Sequence, residues 1–391
     1  MSATLLTGPE TAVLDAAAEL AVDLRARADE TDRLRTVPAD LIARAKAAGL
    51  CRLALPASLG GLELDPLTFL SVAERLVEAD GSAGWTIVIG NSTAFFAWLD
   101  PDVARDLLAD DVAVASTSVF APRGAAVPTG RDRLTITGRW PFNSGCDHAE
   151  WNQVGVMVMD GDRPRLRADG QPDWRFAFFP AGQGIRHDTW RALGLRGTAS
   201  HDLELQGLEV HEHHTAAPFF DPPRHDGPLW RLGFVPLLGM LLLGFPLGVA
   251  RRALDELAAQ APQKRRGPAT AALADDAHVQ YEAGRAEAAL QSARAFAIDV
   301  VGAAWDEVQV GDQLSSAGAG RIALAVRQSM LAAKDAVDTA FTLVGASAVY
   351  DDHPLQRCFR DIHTAGQHLA FGPDGLKGWA RDRFATLVAS S

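Results

Sequence analysis

The chain has 391 residues, of which 48% are hydrophobic and 22% charged, so it is long enough for two or three packed domains and too apolar to be disordered. Its formal net charge is −12 and its one basic block is the short run Lys264–Arg266, which argues against nucleic acid as a partner. Three widely spaced cysteines without a CxxC pair indicate neither a disulfide framework nor a zinc site, and they are typical of a reducing cytoplasm. No basic segment followed by an apolar core opens the chain, so we expect no signal peptide.

Residues 1–111 are predicted to form an N-terminal helical domain. In its first helix, small and apolar residues recur at four-residue spacing, at Ala16, Leu20, Leu24 and Ala28. Further helices are predicted over Ala39–Ala48, Pro66–Asp80, Gly84–Trp98 and Asp102–Ala109. The segment Gly84–Trp98 is apolar almost all round, which indicates a buried helix.

Residues 112–226 are predicted to form a central β domain. Short β-rich runs bounded by Gly, Pro and Asp predict strands over Val112–Val119, Arg133–Thr137, Asn152–Met159, Arg175–Pro180, Gly184–Trp190 and His201–Val210. Six short strands joined by tight turns favour a small antiparallel sandwich or barrel.

Residues 227–391 are predicted to form a C-terminal four-helix bundle, which makes the whole chain an α+β protein that is mostly α. The bundle helices are predicted over Leu229–Ala261, Asp275–Val308, Gly318–Gly345 and Pro354–Ala370. The first contains eighteen uncharged residues, which is long enough to cross a membrane. Because this stretch also holds two prolines and four glycines, we favour a buried helix at the centre of the bundle and expect no membrane partner, with a membrane span as the alternative.

Common catalytic signatures are missing from the sequence. There is no GxGxxG after a strand, no GxxxxGK[ST] and no GxSxG. The run His211–His214 does not meet the HExxH spacing because residue 215 is Thr, so we interpret it as a solvated turn and predict no metal site.

Three polar segments could carry chemistry. The stretch Thr137–Trp151 combines two tryptophans with an Asn-Ser-Gly turn between strands, which suits the rim of a ligand site or an ordinary hairpin equally well. In Arg360–His368, polar side chains would be costly inside an apolar bundle unless they line a wet pocket or face solvent. Asp352 lies in the connection before Pro354, where a carboxylate is either a base or a helix cap.

Four segments resemble the acyl-CoA dehydrogenase superfamily, and the resemblance covers nearly the full chain. They are Gly138–His148, Leu193–Thr198, Leu273–Gln280 and Leu355–Thr364. Within the superfamily the chain is most similar to the two-component, reduced-flavin-dependent monooxygenases, which include p-hydroxyphenylacetate hydroxylases, dibenzothiophene monooxygenases and amino-sugar N-oxygenases. The resemblance implies the same three-part fold, an acyl-CoA dehydrogenase-like architecture, and a homotetramer.

The resemblance also implies reduced FMN or FAD and O2 as co-reactants, with a separate NAD(P)H:flavin reductase as partner. A C4a-hydroperoxide of the flavin would hydroxylate a small aromatic or nitrogen-bearing metabolite. By resemblance, the catalytic pair is Ser144 and His368: His368 would assist proton transfer, and Ser144 would hydrogen-bond the flavin N5 or the peroxide. The residues implied to bind the cofactor are Thr117, Ser118, Trp140, Phe142, Asn143, Ser144 and Arg266, and those facing the substrate are Phe95, His363 and Asp361.

Three departures from the pattern leave alternatives open. Phe95 stands near a position where this branch commonly carries a His. Phe142 replaces the Thr that dehydrogenases use at flavin N5, which favours the monooxygenase branch. Asp352 lies where dehydrogenases carry a catalytic Glu, so one alternative is an acyl-CoA dehydrogenase with Asp352 as α-proton base. The other alternative is a protein that keeps the fold and has lost flavin chemistry.

Overall fold

The computed structural model describes residues 8–109, 114–265, 271–311 and 313–389, except for the side chains of 386–389. The cofactor prediction at Arg266 and the predicted domain boundary between residues 111 and 112 lie outside these ranges.

The described residues of the N-terminal part form six α-helices, of which the last three begin at an aspartate cap. The helices are α1 Gly8–Ala26, α2 Ala28–Leu34, α3 Ala39–Ala47, α4 Pro66–Ala79, α5 Gly81–Gly90 and α6 Pro101–Leu108. Asp65 accepts two backbone N–H groups at the start of α4, and Asp80 accepts one at the start of α5. The helix predicted over Gly84–Trp98 is split: after Asn91 the chain continues as a buried 3-10 helix. The Asn91 side chain bonds three backbone groups at this break.

The central part is a single mixed sheet. Its strands are β1 Ser116–Pro128, β2 Arg133–Asn143, β3 Trp151–Asp160, β4 Arg163–Pro164, β5 Trp174–Pro180, β6 Ile185–His187, β7 His201–His211 and β8 Thr215–Ala216. Seven strands follow the order β6-β7-β2-β1-β3-β5-β8, and β4 pairs with β3. The other pairs are antiparallel, as predicted, but β1 and β3 run parallel, so the fully antiparallel prediction was wrong at this pair.

The C-terminal part is helical. Its helices are α7 Pro228–Arg231, α8 Phe234–Leu242, α9 Gly244–Gln260, α10 Ala277–Gln309, α11 Ser316–Val344, α12 Pro354–Ala365 and α13 Asp374–Ala389. The helix predicted to run to Ala370 ends at Ala365, and a 3-10 turn, Leu369–Phe371, follows it.

The long apolar run lies in α8 and α9, at the centre of the molecule. By length and composition Phe234–Gln260 could cross a membrane, but 72% of its most apolar window is buried in the protein. Gly244 and Gly248 pack directly on α4, where an added Cβ would come within 2.5 Å and 2.7 Å of α4 atoms. This close approach favours the interpretation as a core helix that joins the N-terminal helices to the bundle.

Candidate active site

Two segments of strained backbone meet at the end of β2. Phe142 (φ 68°) and Gly145 (φ 76°) lie in the first segment, and Leu195 (φ 50°) and Ala199 (φ 46°) lie in the second. Among the described residues, six non-glycine residues have positive φ, and three of them lie in these two segments. Such conformations cost about 1–3 kcal/mol each and cluster at functional sites, so their concentration points to a site here.

Hydrogen bonds join the two segments. The Gly145 N–H donates to the Thr198 carbonyl at 2.7 Å, and the Cys146 thiol donates to the Ala199 carbonyl at 3.0 Å. The Ser144 Oγ lies 2.7 Å from the Ser200 Oγ. The Leu193–Thr198 motif and the Ser-Gly-Cys turn are distant in the sequence, and these hydrogen bonds join them into one structure.

Trp85 connects Ser144 to His368. The Trp85 indole N–H donates to the Ser144 Oγ at 3.2 Å. The same indole lies edge-on to the His368 imidazole, with ring centroids 5.6 Å apart. The structure thus brings Ser144 and His368 to either side of one buried tryptophan. Sequence reasoning missed Trp85, whose only signal was a Trp inside an apolar helix.

His368 holds a neutral imidazole at this site. It stands just before the 3-10 turn, where its Nδ1 accepts the Ala370 N–H at 3.2 Å. In this ring orientation the neutral ring carries its hydrogen on Nε2. Burial lowers the pKa of His368 to about 4, so the ring is uncharged at neutral pH.

Thr117 and Asn143 support the Ser144 turn from below. The Thr117 Oγ1 lies 2.5 Å from the Ser144 carbonyl and 2.9 Å from the Asn143 Oδ1. Asn143 in turn donates to the Asn152 side chain at 2.9 Å. Thr117 and Asn143 are buried, so they hold the turn in place. Ser144 is partly exposed and Phe142 is exposed, so a ligand can reach both.

Trp140 and Ser118 have different surroundings from each other. Trp140 is fully buried in the core of the sheet and donates its indole N–H to the Gly155 carbonyl at 2.7 Å. Its ring covers Gly124, where a Cβ would come within 2.2 Å of it. The structure therefore corrects the prediction for Trp140: the indole is a core group with no surface left for a cofactor. Ser118 is partly exposed and bonds the Ser92 hydroxyl at 2.9 Å.

Two of the residues implied to face the substrate pack elsewhere. Phe95 is buried in an aromatic cluster, with ring centroids 5.0 Å from Phe234 and 5.6 Å from Phe120. His363 lies on α12 with its Nε2 2.8 Å from the Asp338 Oδ1 on α11. Neither contacts Ser144 or His368 through any hydrogen bond or ring contact found among the described residues.

Asp361 supports the strained loop. Its Oδ1 accepts the Leu195 N–H at 2.6 Å, and it lines a small cleft together with Asp80. Burial, with the nearby Asp80 carboxyl as the next contribution, raises the pKa of Asp361 to about 7. The carboxyl group is thus committed to the loop that holds Ser144.

Asp352 is exposed on the connection between α11 and α12. The cap of α12 is His353, whose Nδ1 accepts the Leu355 N–H at 3.2 Å, so the interpretation of Asp352 as that cap was wrong. The structure does not bring Asp352 into contact with Ser144, Trp85 or His368.

Comparison with known proteins agrees with this geometry. Residues 9–99 match the family model for the N-terminal domain of acyl-CoA dehydrogenase, and residues 241–373 match the model for its C-terminal domain. An indole-3-acetate monooxygenase from Pseudomonas putida is 33% identical over 349 residues, which cover 89% of this chain and 87% of that protein. A flavin-dependent monooxygenase, oxygenase subunit HsaA, from Rhodococcus jostii is 27% identical over 383 residues, covering 90% and 92%.

The chain belongs to the flavin-dependent monooxygenase branch of the acyl-CoA dehydrogenase superfamily. The crystal structure of 3-HSA hydroxylase from Rhodococcus sp. RHA1 superposes on this monooxygenase with a TM-score of 0.87 and 25% identity, covering 96% of this chain and 97% of that one. The resemblance found in four sequence segments, and the fold expected from it, are both confirmed.

The polar groups at the site of this monooxygenase fit a reduced flavin. Ser144 offers a hydroxyl with a lone pair that no described residue engages, and His368 offers an Nε2–H that no described residue accepts. Exposed apolar side chains adjoin both groups, Phe142 at 64% exposure and Leu369 at 81%. A planar heteroaromatic ring that offers a donor to Ser144 and an acceptor to His368 would satisfy these polar groups, and its faces would cover the apolar side chains.

Proposed function

We propose that this protein is the oxygenase component of a two-component system, which hydroxylates a small aromatic metabolite with reduced FMN or FAD and O2. The observation that carries the proposal is the convergence of Ser144 and His368 on Trp85, from the β domain and the bundle. A separate NAD(P)H:flavin reductase would supply the reduced flavin. The substrate class follows the relatives, which are named for their action on indole-3-acetate, resorcinol and p-hydroxyphenylacetate.

A reduced flavin bound at Ser144 would supply the two electrons that let O2 place one oxygen atom on the substrate and the other in water. Ser118, Phe142 and Ser144 are the residues of this chain that would hold it, with Thr117 and Asn143 fixing the turn beneath. We also propose, from the resemblance, that Arg266 binds the phosphate of the flavin.

His368 would act by hydrogen bonding from its Nε2–H. Because its pKa is lowered to about 4, the ring is a weak base, and its Nδ1 is already engaged by the Ala370 N–H. We therefore favour a role in which His368 donates a hydrogen bond and holds a proton at Nε2, over removal of a proton from the substrate.

Apolar packing around His368 would keep water from the reacting groups. Trp85 packs on Phe245 with ring centroids 5.0 Å apart, and Phe371 lies 6.3 Å from the His368 ring. A dry environment strengthens the hydrogen bonds made there and suppresses the loss of reducing equivalents to hydrogen peroxide.

The test is to mix the protein with reduced FMN or reduced FAD, O2 and a panel of phenols and indoles, and to quantify product and hydrogen peroxide. We expect hydroxylated product with at least one flavin, and a fall in the product-to-peroxide ratio in Ser144→Ala. If neither flavin yields product from any aromatic compound, the proposal fails.

The acyl-CoA dehydrogenase alternative makes an opposite prediction. It requires bound FAD that is bleached by an acyl thioester and an activity that disappears in Asp352→Asn. Asp352 is exposed and contacts none of Ser144, Trp85 and His368, which supports the monooxygenase.

We also propose a homotetramer in the cytoplasm and a three-part division near residues 111 and 226. Apolar side chains exposed on the helices of the bundle support further assembly, at Tyr281, Leu331 and Phe384. Three free thiols support a reducing compartment. Light scattering of the purified protein tests the assembly, and a monomer would contradict it.

A further inference from the structure

A chain of hydroxyl groups leads away from Ser144 and ends at a carbonyl. The Ser144 Oγ lies 2.7 Å from the Ser200 Oγ, which lies 2.6 Å from the Thr198 Oγ1. The Thr198 Oγ1 lies 2.8 Å from the carbonyl oxygen of Leu195. At the other end, the Trp85 indole N–H points at the Ser144 Oγ.

The two ends of this chain determine the direction of every hydrogen bond in it. A carbonyl oxygen only accepts, so Thr198 gives its one hydroxyl hydrogen to Leu195. Ser200 must then donate to Thr198, and Ser144 must donate to Ser200. No other assignment places a hydrogen in all three short contacts.

These directions determine what the Ser144 hydroxyl can offer to a ligand. Its single hydrogen is used on Ser200, and one of its two lone pairs is used by the Trp85 indole. The second lone pair is what Ser144 can offer to a ligand. Ser144 is therefore an acceptor toward the ligand and has no hydrogen to donate.

Reduced and oxidised flavins differ in the group that would meet this lone pair. N5 of reduced flavin carries a hydrogen and donates, whereas N5 of oxidised flavin is an acceptor. We propose that Ser200 and Thr198 are positioning residues, which fix the Ser144 hydroxyl as an acceptor and so make the site selective for reduced over oxidised flavin. This inference rests on the proposed function, in which the flavin binds at Ser144, and takes N5 as the flavin atom that meets Ser144.

Breaking the chain should free the Ser144 hydrogen. In Ser200→Ala, Ser144 has lost its acceptor and can turn its hydrogen toward an oxidised N5. In Thr198→Val, Ser200 has lost its own acceptor and can donate to Ser144, which again frees the Ser144 hydrogen. Thr198→Val also serves as a second route to the same result if Ser200→Ala does not fold.

The measurement is the ratio of dissociation constants for oxidised and reduced flavin, determined anaerobically for FMN and FAD. Wild type should bind reduced flavin at least about tenfold more tightly, and each variant should lower that ratio about tenfold, which corresponds to about 1.4 kcal/mol. Ser144→Ala should abolish the preference for reduced flavin. The double variant Ser144→Ala/Ser200→Ala should therefore have the same ratio as Ser144→Ala alone.

Ser82→Ala is the matched control. The Ser82 Oγ accepts the Gly197 N–H at 3.2 Å, so this variant loosens the same loop without touching the hydroxyl chain, and it should leave the ratio unchanged. A ratio within twofold of wild type in both Ser200→Ala and Thr198→Val overturns the inference, as does an equal fall in Ser82→Ala. Failure of the wild type to bind either reduced flavin would instead overturn the proposed function.

Discussion

Replacing Asp361 by asparagine should flatten the dependence of stability on pH. The carboxyl group is buried, and its Oδ1 accepts the Leu195 N–H, an interaction that the asparagine amide oxygen can reproduce. Burial and the neighbouring Asp80 raise the pKa of Asp361 from 3.8 to about 7. Arg360 opposes this rise and Asp32 adds to it.

The sign follows from proton binding. In the unfolded chain Asp361 is ionised above about pH 4, while in the folded protein it keeps its proton up to about pH 7, so unfolding releases a proton in this window. Stability from this group is therefore fully present below the unfolded pKa and is lost as the pH rises through the folded pKa. Between pH 6 and pH 8 the loss is roughly 1.4 kcal/mol, because about one pH unit of that range lies below the folded pKa.

The assay is urea unfolding followed by tryptophan fluorescence at pH 6, 7 and 8. Wild type should lose about 1.4 kcal/mol across this range relative to Asp361→Asn. Asp352→Asn changes an exposed carboxylate in the same part of the bundle and should keep the wild-type dependence. Parallel curves for wild type and Asp361→Asn would show that Asp361 does not keep its proton in the folded protein up to about pH 7.

Three further substitutions separate catalytic from structural roles. His368→Ala should lower the rate of product formation about 100-fold in a turnover assay, and in wild type no His368 titration should appear between pH 6 and 8 because its pKa is about 4. Trp85→Phe should remove the indole donor to Ser144 and raise the fraction of flavin lost to hydrogen peroxide, while thermal unfolding changes by only about 1 kcal/mol. Trp140→Phe should lose the bond to Gly155 and about 1–3 kcal/mol of stability in urea unfolding, and leave the affinity for reduced flavin unchanged.

Periodicity was enough to predict most of the secondary structure. Helices with an apolar face and short strands can be predicted because their residue patterns are local in the sequence. The parallel pairing of β1 with β3 could not be predicted in this way, because it depends on how β2 and the following turn return the chain to the same end of the sheet.

Trp140 shows how a strand boundary can change a residue's role. The sequence predicted a strand that ended at Thr137, which left Trp140 in the polar turn. The strand continues to Asn143, with a register shift between Ile136 and Thr137. Within the longer strand, the Trp140 side chain faces the core.

The Ser144–His368 pair was predicted from the resemblance, whereas its connection through Trp85 was not. An indole edge against an imidazole and an N–H aimed at a hydroxyl are tertiary contacts that leave no local pattern. The same holds for Asp361, which the resemblance implied to face the substrate and whose partner is the distant Leu195 N–H.

Transfer of an oxygen atom from O2 to an aromatic substrate is the defining test of the proposed monooxygenase activity. Reduced FMN or FAD, ¹⁸O2 and an aromatic substrate are mixed with the protein, and the product is analysed by mass spectrometry. A monooxygenase should leave one labelled oxygen atom in the hydroxylated product, and His368→Ala should yield much less labelled product. Absence of label from every aromatic substrate, together with flavin bleaching by an acyl thioester, would contradict the proposed activity.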